Sequence, residues 1–548
     1  MQRDRAGNFL SKAKNLGTLT STLSTSQDFV GKSDLDDLYK LSLSDRSSFN
    51  LQVSNLGKGA KIGIEIFTLK GAKSKVLKAI GKVAFSQLKG KDLSKNLRFV
   101  NKSTVSKGGK SLGLSLEAGE YYFRVVSRRG NTKYKIDTSA TANPGSNEPV
   151  VPVQLSRKWI QQFGTNRNDY GYGVAVVENN LYLSGSTEGS LDGINAGDRD
   201  SYAALYTTEG TLQWQRQFGS LGLDVAADIA ADSSGNYYVG GIDVTPPSAQ
   251  SIFPDPNGYT SKYPSTGIRE WTKPLRLTGV EAITGVTIDS VGNVYVSGLA
   301  KGFPGSVSSV AYVAKYNNSG QEIWSKEWSG TGSSSATGVA IDKEGNVYIA
   351  GITNATLGTD FTNPFSGGDA FVAKYSASGT KLWDKTIATP AKDTARGIAV
   401  DGSGNVYITG DTSGTISGQT SAGGTDGFVA KYSTAGTQQW VKQFGTSGLD
   451  ESQGIAVTDA GAVFLTGETT GGIFGNTNAG GSDAWIGVFN GDGKLAGSTQ
   501  IGTAQEDEAY GITVAGSSVY VVGTNQGAIA SGTNQGQFDA WVTRYDIT

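Results

Sequence analysis

Asp342-Lys-Glu-Gly-Asn-Val-Tyr-Ile-Ala-Gly351 returns almost unchanged as Asp401-Gly-Ser-Gly-Asn-Val-Tyr-Ile-Thr-Gly410. Each copy reads as a tight Asp-x-x-Gly-Asn turn feeding an apolar strand with an aromatic second residue. That aromatic recurs as Tyr182, Tyr238, Tyr295, Tyr348, Tyr407, Phe464 and Tyr520. Before the turn lies a Gly-Ile-Ala-Val-like strand with a small residue at its centre: Ala175, Ala230, Thr287, Ala340, Ala399, Ala456 and Thr513. After it comes an Asp-Ala-Phe-Val-Ala-Lys-Tyr-like strand, ending at Tyr206, Tyr263, Tyr316, Tyr375, Tyr432, Phe489 and Tyr545. A Gly-x-x-x-Trp element then opens a fourth strand, as in Gly210/Trp214, Gly267/Trp271, Gly320/Trp324, Gly379/Trp383 and Gly436/Trp440. Trp159 begins the series without its Gly, and Gly493/Gly497 ends it without its Trp.

Four strands repeated seven times predict an all-β chain with a seven-bladed β-propeller. Blades covered on both faces suit the apolar first strands, and the small central residue suits crowding at the axis. The last repeat lacks a fourth strand, while Trp159 precedes the first complete repeat. The 158–163 strand is therefore expected to complete the last blade and close the ring, leaving no open edge.

The Asp-x-x-Gly-Asn-Val-Tyr-Val-x-Gly pattern resembles the bacterial seven-bladed β-propeller repeat family (SBBP) over about 155–548. The resemblance implies a fold and a frequent extracellular setting, and no reaction.

Composition divides the chain. Residues 1–140 hold 26 Lys and Arg against 11 Asp and Glu, a net +15; the remainder holds 22 against 38, a net −16. All nine Trp follow residue 150. The small, polar, proline-bearing stretch 139–152 reads as a linker. The expected organisation is a 1–14 tail, a basic 15–138 domain, the 139–152 linker and an acidic 153–548 propeller. Runs such as Leu38–Leu43, Phe49–Val53, Ile62–Phe67 and Glu120–Val126 alternate apolar and polar residues, as strands do. Ser33-Asp-Leu-Asp-Asp-Leu-Tyr-Lys-Leu-Ser-Leu43, with Leu116-Glu-Ala-Gly-Glu-Tyr-Tyr-Phe-Arg-Val125 downstream, is similar to pre-peptidase C-terminal (PPC) domains. That resemblance implies a β-sandwich appended to exported proteins, with Asp34, Asp36 and Asp37 as candidate Ca²⁺ ligands. A turn-forming role is the plainer reading of those aspartates.

The chain has no His and no Cys, and its single Met is residue 1. This excludes imidazole acid–base chemistry, Ser-His-Asp triads, thiol nucleophiles, disulfides and zinc–thiolate sites. Sulfur-poor composition suits an oxidising exterior. Neither a secretory signal nor an 18-residue apolar run is visible, so no transmembrane segment is expected.

Four residues before each first strand stand Asp169, Asp224, Glu281, Ser334, Asp393, Asp450 and Asp507. This ring is a candidate site for Ca²⁺, a hard cation that prefers oxygen ligands. Recurrence favours turn capping instead, because a cap repeats with its turn. The same holds for Asp200, Asp369, Asp426, Asp483 and Asp539 at the third strands. The Tyr and Trp series, fixed in every repeat, read as inter-blade core rather than a sugar-stacking surface.

Lys70, Lys73, Lys75, Lys78, Lys82, Lys89 and Lys91 lie in a basic run that suits an anionic partner such as an acidic polysaccharide or cell-surface glycan. No nucleic-acid motif interleaves them. The two opposed halves also suit head-to-tail self-association. The expectation is a non-enzymatic secreted or cell-surface binding or structural protein, requiring no cofactor, with Ca²⁺ as the candidate ion. A carboxylate-based polysaccharide hydrolase or lyase, and a protein-binding scaffold, are the alternatives.

Overall fold

The Asp-x-x-Gly-Asn turn is held by its own side chains. Asp342 Oδ1 accepts the backbone N–H groups of Glu344 and Asn346, at 3.1 and 2.8 Å. Its Oδ2 accepts Asn346 Nδ2 at 2.8 Å and the Tyr348 hydroxyl at 2.9 Å. Lys374, from the third strand, lies 4.8 Å over the Tyr348 ring and 3.6 Å from the same carboxylate. Burial raises the Asp342 pKa, but the bonds from Asn346 and Tyr348 and the Lys374 charge outweigh it and hold the carboxyl below its ordinary range. Gly345, at φ +78°, supplies the left-handed residue that the turn requires. Asp289 and Asp401 build the same network with Asn293 and Tyr295, and with Asn405 and Tyr407.

The computed structural model describes residues 152–548 apart from 194, 246–254, 275–281, 301–308, 329–331, 358–364 and 530–533, together with the backbone of strands between 14 and 142. The chain divides into two units, Met1–Pro149 and Val150–Thr548. In the first, Lys14–Leu19, Asp36–Leu43, Gly119–Arg129, Lys61–Leu69 and Leu97–Val105 form a five-stranded sheet in that order. Ser24–Val30, Thr132–Ala142, Ser47–Ser54 and Lys110–Leu116 form a four-stranded one. The Thr132–Ala142 strand runs four residues past the sequence-based domain end at 138.

The second unit is a seven-bladed β-propeller. Blade 1 comprises Asp169–Val177, Asn180–Thr187, Asp200–Thr207 and Leu212–Phe218, each pairing antiparallel with the next. Blades 2 to 6 begin at Leu223, Ala282, Ser333, Asp393 and Asp450 and repeat this order; blade 4 adds a short Phe365–Ser366 strand. Blade 7 takes Asp507–Ala515, Ser518–Asn525 and Asp539–Ile547 from the end of the chain. Its fourth strand is Leu155–Phe163, which pairs antiparallel with Asp539–Ile547 from Leu155↔Ile547 to Phe163↔Ala540. The ring closes as the sequence predicts.

The core lies between blades. Tyr348 of blade 4, for example, is buried among Val406, Ile408 and Phe428 of blade 5. The Gly-x-x-x-Trp element is explained at the seams. The indole N–H of Trp383 donates to the Thr434 carbonyl of the following blade at 3.1 Å. Its ring lies against Gly436, where a methyl group would come within 2.8 Å of the indole. Gly436 also sits at φ +79°. Trp159, Trp271, Trp324 and Trp440 repeat this at Thr208, Asn318, Ala377 and Gly491, at 3.0–3.1 Å, over Gly210, Gly320, Gly379 and Gly493. Each of these five glycines therefore serves the Trp of the preceding blade, so Trp159 needs no Gly before it, while Gly267 lies against Arg216 and Tyr237 instead. At the seam between blades 6 and 7, where no Trp exists, Val153 donates its N–H to the Ala496 carbonyl and covers Gly497.

Replacing Trp383 with Phe should cost about 1 kcal/mol through the lost hydrogen bond. Gly436→Ala should cost about 2 kcal/mol, from backbone strain together with overpacking. Urea titration followed by tryptophan fluorescence measures both.

Candidate functional site

The aspartates before the first strands are buried turn caps. Asp169, Asp393, Asp450 and Asp507 each accept, on Oδ2, the N–H of the Thr four residues earlier, at 2.5–2.6 Å. Asp224 accepts the Ser220 N–H in the same way at 2.6 Å. In blade 4, Ser334 shares a hydroxyl bond with Thr353 instead. The third-strand aspartates cap as well. Asp200 Oδ2 accepts the Ala196 N–H and Gln217 Nε2, and Asp426, Asp483 and Asp539 take the corresponding amides of Gln443, Gln500 and Gln162. Among the described residues no group of three or more Asp or Glu is placed to hold a metal ion. Glu281, Asp34 and the lysines Lys70, Lys73, Lys75, Lys78, Lys82, Lys89 and Lys91 lie outside the described residues. Asp36 and Asp37 are described only as backbone of the Asp36–Leu43 strand.

The two aspartate sets converge at the seams. A methyl on Gly219 would lie 2.3 Å from Asp200 Oδ1 and 2.9 Å from Asp224 Oδ2; Gly445 stands likewise between Asp426 and Asp450. Oδ1 of Asp200, Asp426 and Asp483 is buried and accepts no hydrogen bond. Facing carboxylates in a buried seam resist double ionisation. Burial, aided by Asp243 and Asp200, pushes Asp224 up to about 6. Burial raises Asp507 and Asp169 to about 6 as well, with Asp483 and Asp539 adding to the effect.

A different ring, at the axis, carries chemical variety. Every first strand has a β-bulge three residues after the capping position. The bulged residues are Tyr172, Ala227, Thr284, Thr337, Arg396, Gln453 and Tyr510, and all seven line one axial cavity of about 240 Å³. Bulges re-aim side chains and accompany functional sites. On one side of the ring these positions serve the scaffold: Thr284 and Thr337 donate to the Ala336 and Ala395 carbonyls of the next blade, at 2.7 and 2.9 Å. Asp228, beside Ala227, accepts the Val286 N–H of blade 3 at 2.9 Å.

On the other side, blades 5, 6, 7 and 1 form a crescent of long side chains. Arg396 pairs with Asp411 and, at 2.8 Å, with Glu451. Gln453 Nε2 also donates to Glu451, at 2.9 Å. The Tyr510 hydroxyl donates to Glu508. The Tyr510 ring meets Tyr172 edge-on at 5.3 Å, Tyr172 is parallel to Tyr170 at 6.1 Å, and Tyr170 meets Phe538 at 5.6 Å. Arg199 covers Tyr170 at 4.6 Å and pairs with Glu188. Burial, then the charges of Glu508 and Glu451, pushes Glu468 up to about 8 against the pull of Arg396. Burial also raises Glu451 and Glu508. Sequence reasoning missed this crescent. Its only signal is one variable position inside an otherwise uniform strand.

The seams generate two predictions. Asp169, Asp224 and Asp507 are raised in the fold, so their contribution is fully present below pH 3.8 and is lost as pH rises through about 6. The melting temperature should therefore be higher at pH 5 than at pH 7.5, by about 3 °C or more. Asp200→Asn should raise stability at pH 8, since its amide can donate to Asp224, whose carboxyl burial raises to about 6, while its oxygen keeps Gln217 and the Ala196 N–H. That gain should vanish at pH 5. A simple cap would show a loss at both pH values, which differential scanning calorimetry distinguishes.

Residues 323–358 and 382–416 match the SBBP beta-propeller repeat family. The regulatory protein FlaEY of Caulobacter vibrioides is 30% identical over 224 residues, which cover 37% of this chain and 23% of FlaEY. A WD repeat-containing protein, L264, of Acanthamoeba polyphaga mimivirus is 24% identical over 277 residues, covering 45% of this chain and 17% of that protein. The chain thus spans less than a quarter of the curated relatives it matches. Among solved structures, Sqt1 from Chaetomium thermophilum aligns with a TM-score of 0.38 at 13% identity, over 68% of this chain and 82% of that one. No helix among the described residues is long and apolar enough to cross a membrane. The chain is thus a seven-bladed β-propeller in which two segments, 323–358 and 382–416, match the SBBP repeat.

Proposed function

We propose that this is a non-enzymatic binding or structural protein of the cell exterior that self-associates head to tail. The acidic propeller of one copy engages the basic N-terminal unit of the next, and residues 15–138 of that unit form a PPC-like β-sandwich. One observation carries the reading: the propeller, within a part of net charge −16, gathers Glu451, Glu468 and Glu508 around Arg396, while residues 1–140 carry +15. Opposite charge on two parts of one chain favours a contact that repeats from copy to copy. The sulfur-poor composition suits an oxidising exterior.

A polysaccharide hydrolase or lyase is the second reading. Glu468, held protonated at neutral pH beside Glu508, is the arrangement that supports it. Product release from neutral or acidic polysaccharides that disappears in Glu468→Gln would establish it over the first.

Light scattering over a concentration series tests the first reading. The full chain should form larger species at about 20 mM salt that dissociate at about 500 mM, where screening is severe. A monomer at every concentration and salt level overturns it.

A further inference from the structure

We infer that the seam between blades 6 and 7 is a Ca²⁺ site built on Asp507, Asn525 and Asp483. The site stands whether or not the chain self-associates.

The capping aspartate of a first strand uses one carboxylate oxygen on its turn. The other faces a residue at the end of the second strand. In blade 6 that second oxygen is satisfied. Asp450 Oδ2 takes the Thr446 N–H, and Oδ1 accepts the hydroxyl of Thr469, its register partner, at 2.5 Å. Asp393 and Asp169 likewise stand in register with Thr412 and Thr187, hydroxyls that can turn to donate. Blade 7 breaks the pattern. Asp507 Oδ2 takes the Thr503 N–H and hydroxyl, at 2.6 and 2.8 Å, as the other caps do. Its register partner, however, is Asn525. The Asn525 amide nitrogen donates to the Gly527 carbonyl, so its oxygen is what remains for Asp507. Turning the amide over only moves the fault, since its oxygen would then meet that carbonyl.

Three oxygens are thereby left without a partner: Asp507 Oδ1, Asn525 Oδ1 and Asp483 Oδ1. Asp507 and Asn525 are 0% exposed and Asp483 is 1% exposed. Asp483 opens the third strand of blade 6. The Asp507 N–H donates to the carbonyl of the adjoining Ser482 at 2.8 Å, and the Asp483 charge acts on Asp507, so the two carboxylates are neighbours across the seam.

A buried set of acceptors alone calls for a cation, which satisfies all of them together. Two carboxylates balance a divalent ion, whereas a monovalent ion leaves net charge buried. Oxygen ligands that include an amide carbonyl suit Ca²⁺, which takes about six to eight oxygens in flexible geometry, better than Mg²⁺ with its strict octahedron. The described residues hold no group of three acids for a metal, and this set needs only two. Gly527 also lines a polar pocket of about 560 Å³ with Gln505, Gln526, Asn534, Gly536 and Gln537, which gives the ion an entry path and water for its shell. The Gly527 carbonyl accepts Gln162 Nε2 of the closing strand at 3.2 Å. The ion thus ties blade 6 to the blade that both ends of the propeller complete.

The test uses the full chain, stripped with EDTA and titrated with CaCl₂ alone at pH 7.5. Calorimetry should show binding with a Kd of about 0.1–1 mM. Saturating Ca²⁺ should raise the melting temperature by about 2 °C or more, and Mg²⁺ at the same concentration by less. Asn525→Thr restores the hydroxyl that blade 6 uses. It should melt at or above the wild type in EDTA, bind Ca²⁺ at least tenfold more weakly and lose the Ca²⁺-dependent rise. Asn525→Asp, which keeps an oxygen in place, should bind at least as tightly as the wild type. Asp459→Asn, at an exposed acid, should change nothing. Absence of Ca²⁺ binding by the wild type overturns the site. Binding that Asn525→Thr leaves unchanged puts the ion elsewhere in the chain and overturns it too. An equal rise with Mg²⁺ overturns the assignment to Ca²⁺. Should Asn525→Thr melt early in EDTA, Asn525→Asp decides, and weaker binding there than in the wild type overturns the site.

Discussion

The contact of a tryptophan with a glycine of the next blade holds the propeller in register. Each indole performs two tasks at once: it covers a backbone turn that has no side chain of its own, and it donates to that turn's carbonyl. A blade is therefore positioned by its neighbour as well as by its own ladder. The glycine must be glycine twice over, for its positive φ and for the ring above it. The seam between blades 1 and 2 relaxes the rule, with Trp214 packing against Tyr237 at 5.3 Å. The seam between blades 6 and 7 replaces the ring with Val153.

Much of this was legible beforehand because it repeats. The seven strand sets, the closing role of 158–163 and the turn-capping aspartates all follow from period and residue type. The tyrosines of the second strands were also correctly read as core: Tyr238, Tyr295, Tyr348 and Tyr407 are fully buried. What the repeat hid was anything that departs from it. Tyr172, Arg396, Gln453 and Tyr510 occupy the position where the strands disagree, and a consensus discards such a position as noise. The bulge that aims it at the axis is a pairing irregularity, and pairing partners are not visible in one strand alone. Glu468 was less accessible still, since its character depends on Glu451 and Glu508 from two different first strands.

The propeller thus separates its tasks by strand position. Caps, core and seam contacts recur in most blades and are interchangeable in kind. The bulge positions are free to differ because the bulge residue contributes little to the ladder. Blades 2, 3 and 4 direct that freedom to hydrogen bonds and small side chains. Blades 5, 6, 7 and 1 direct it to charge and aromatic surface. The four crescent blades adjoin across the ring closure, so the crescent exists only once Leu155–Phe163 has met Asp539–Ile547.

That closure has a temporal consequence. The two strands that seal the ring stand 384 residues apart at the Trp159–Thr543 contact. A chain made from its N-terminus carries Leu155–Phe163 unpaired until the last strand is complete. Until then, Leu155–Phe163 and Ser518–Asn525 lack the strand that pairs with both, and each presents an open edge. Ring closure and maturation are thereby linked: Asp539–Ile547 acts as a latch that seals the propeller and completes its axial cavity in one step.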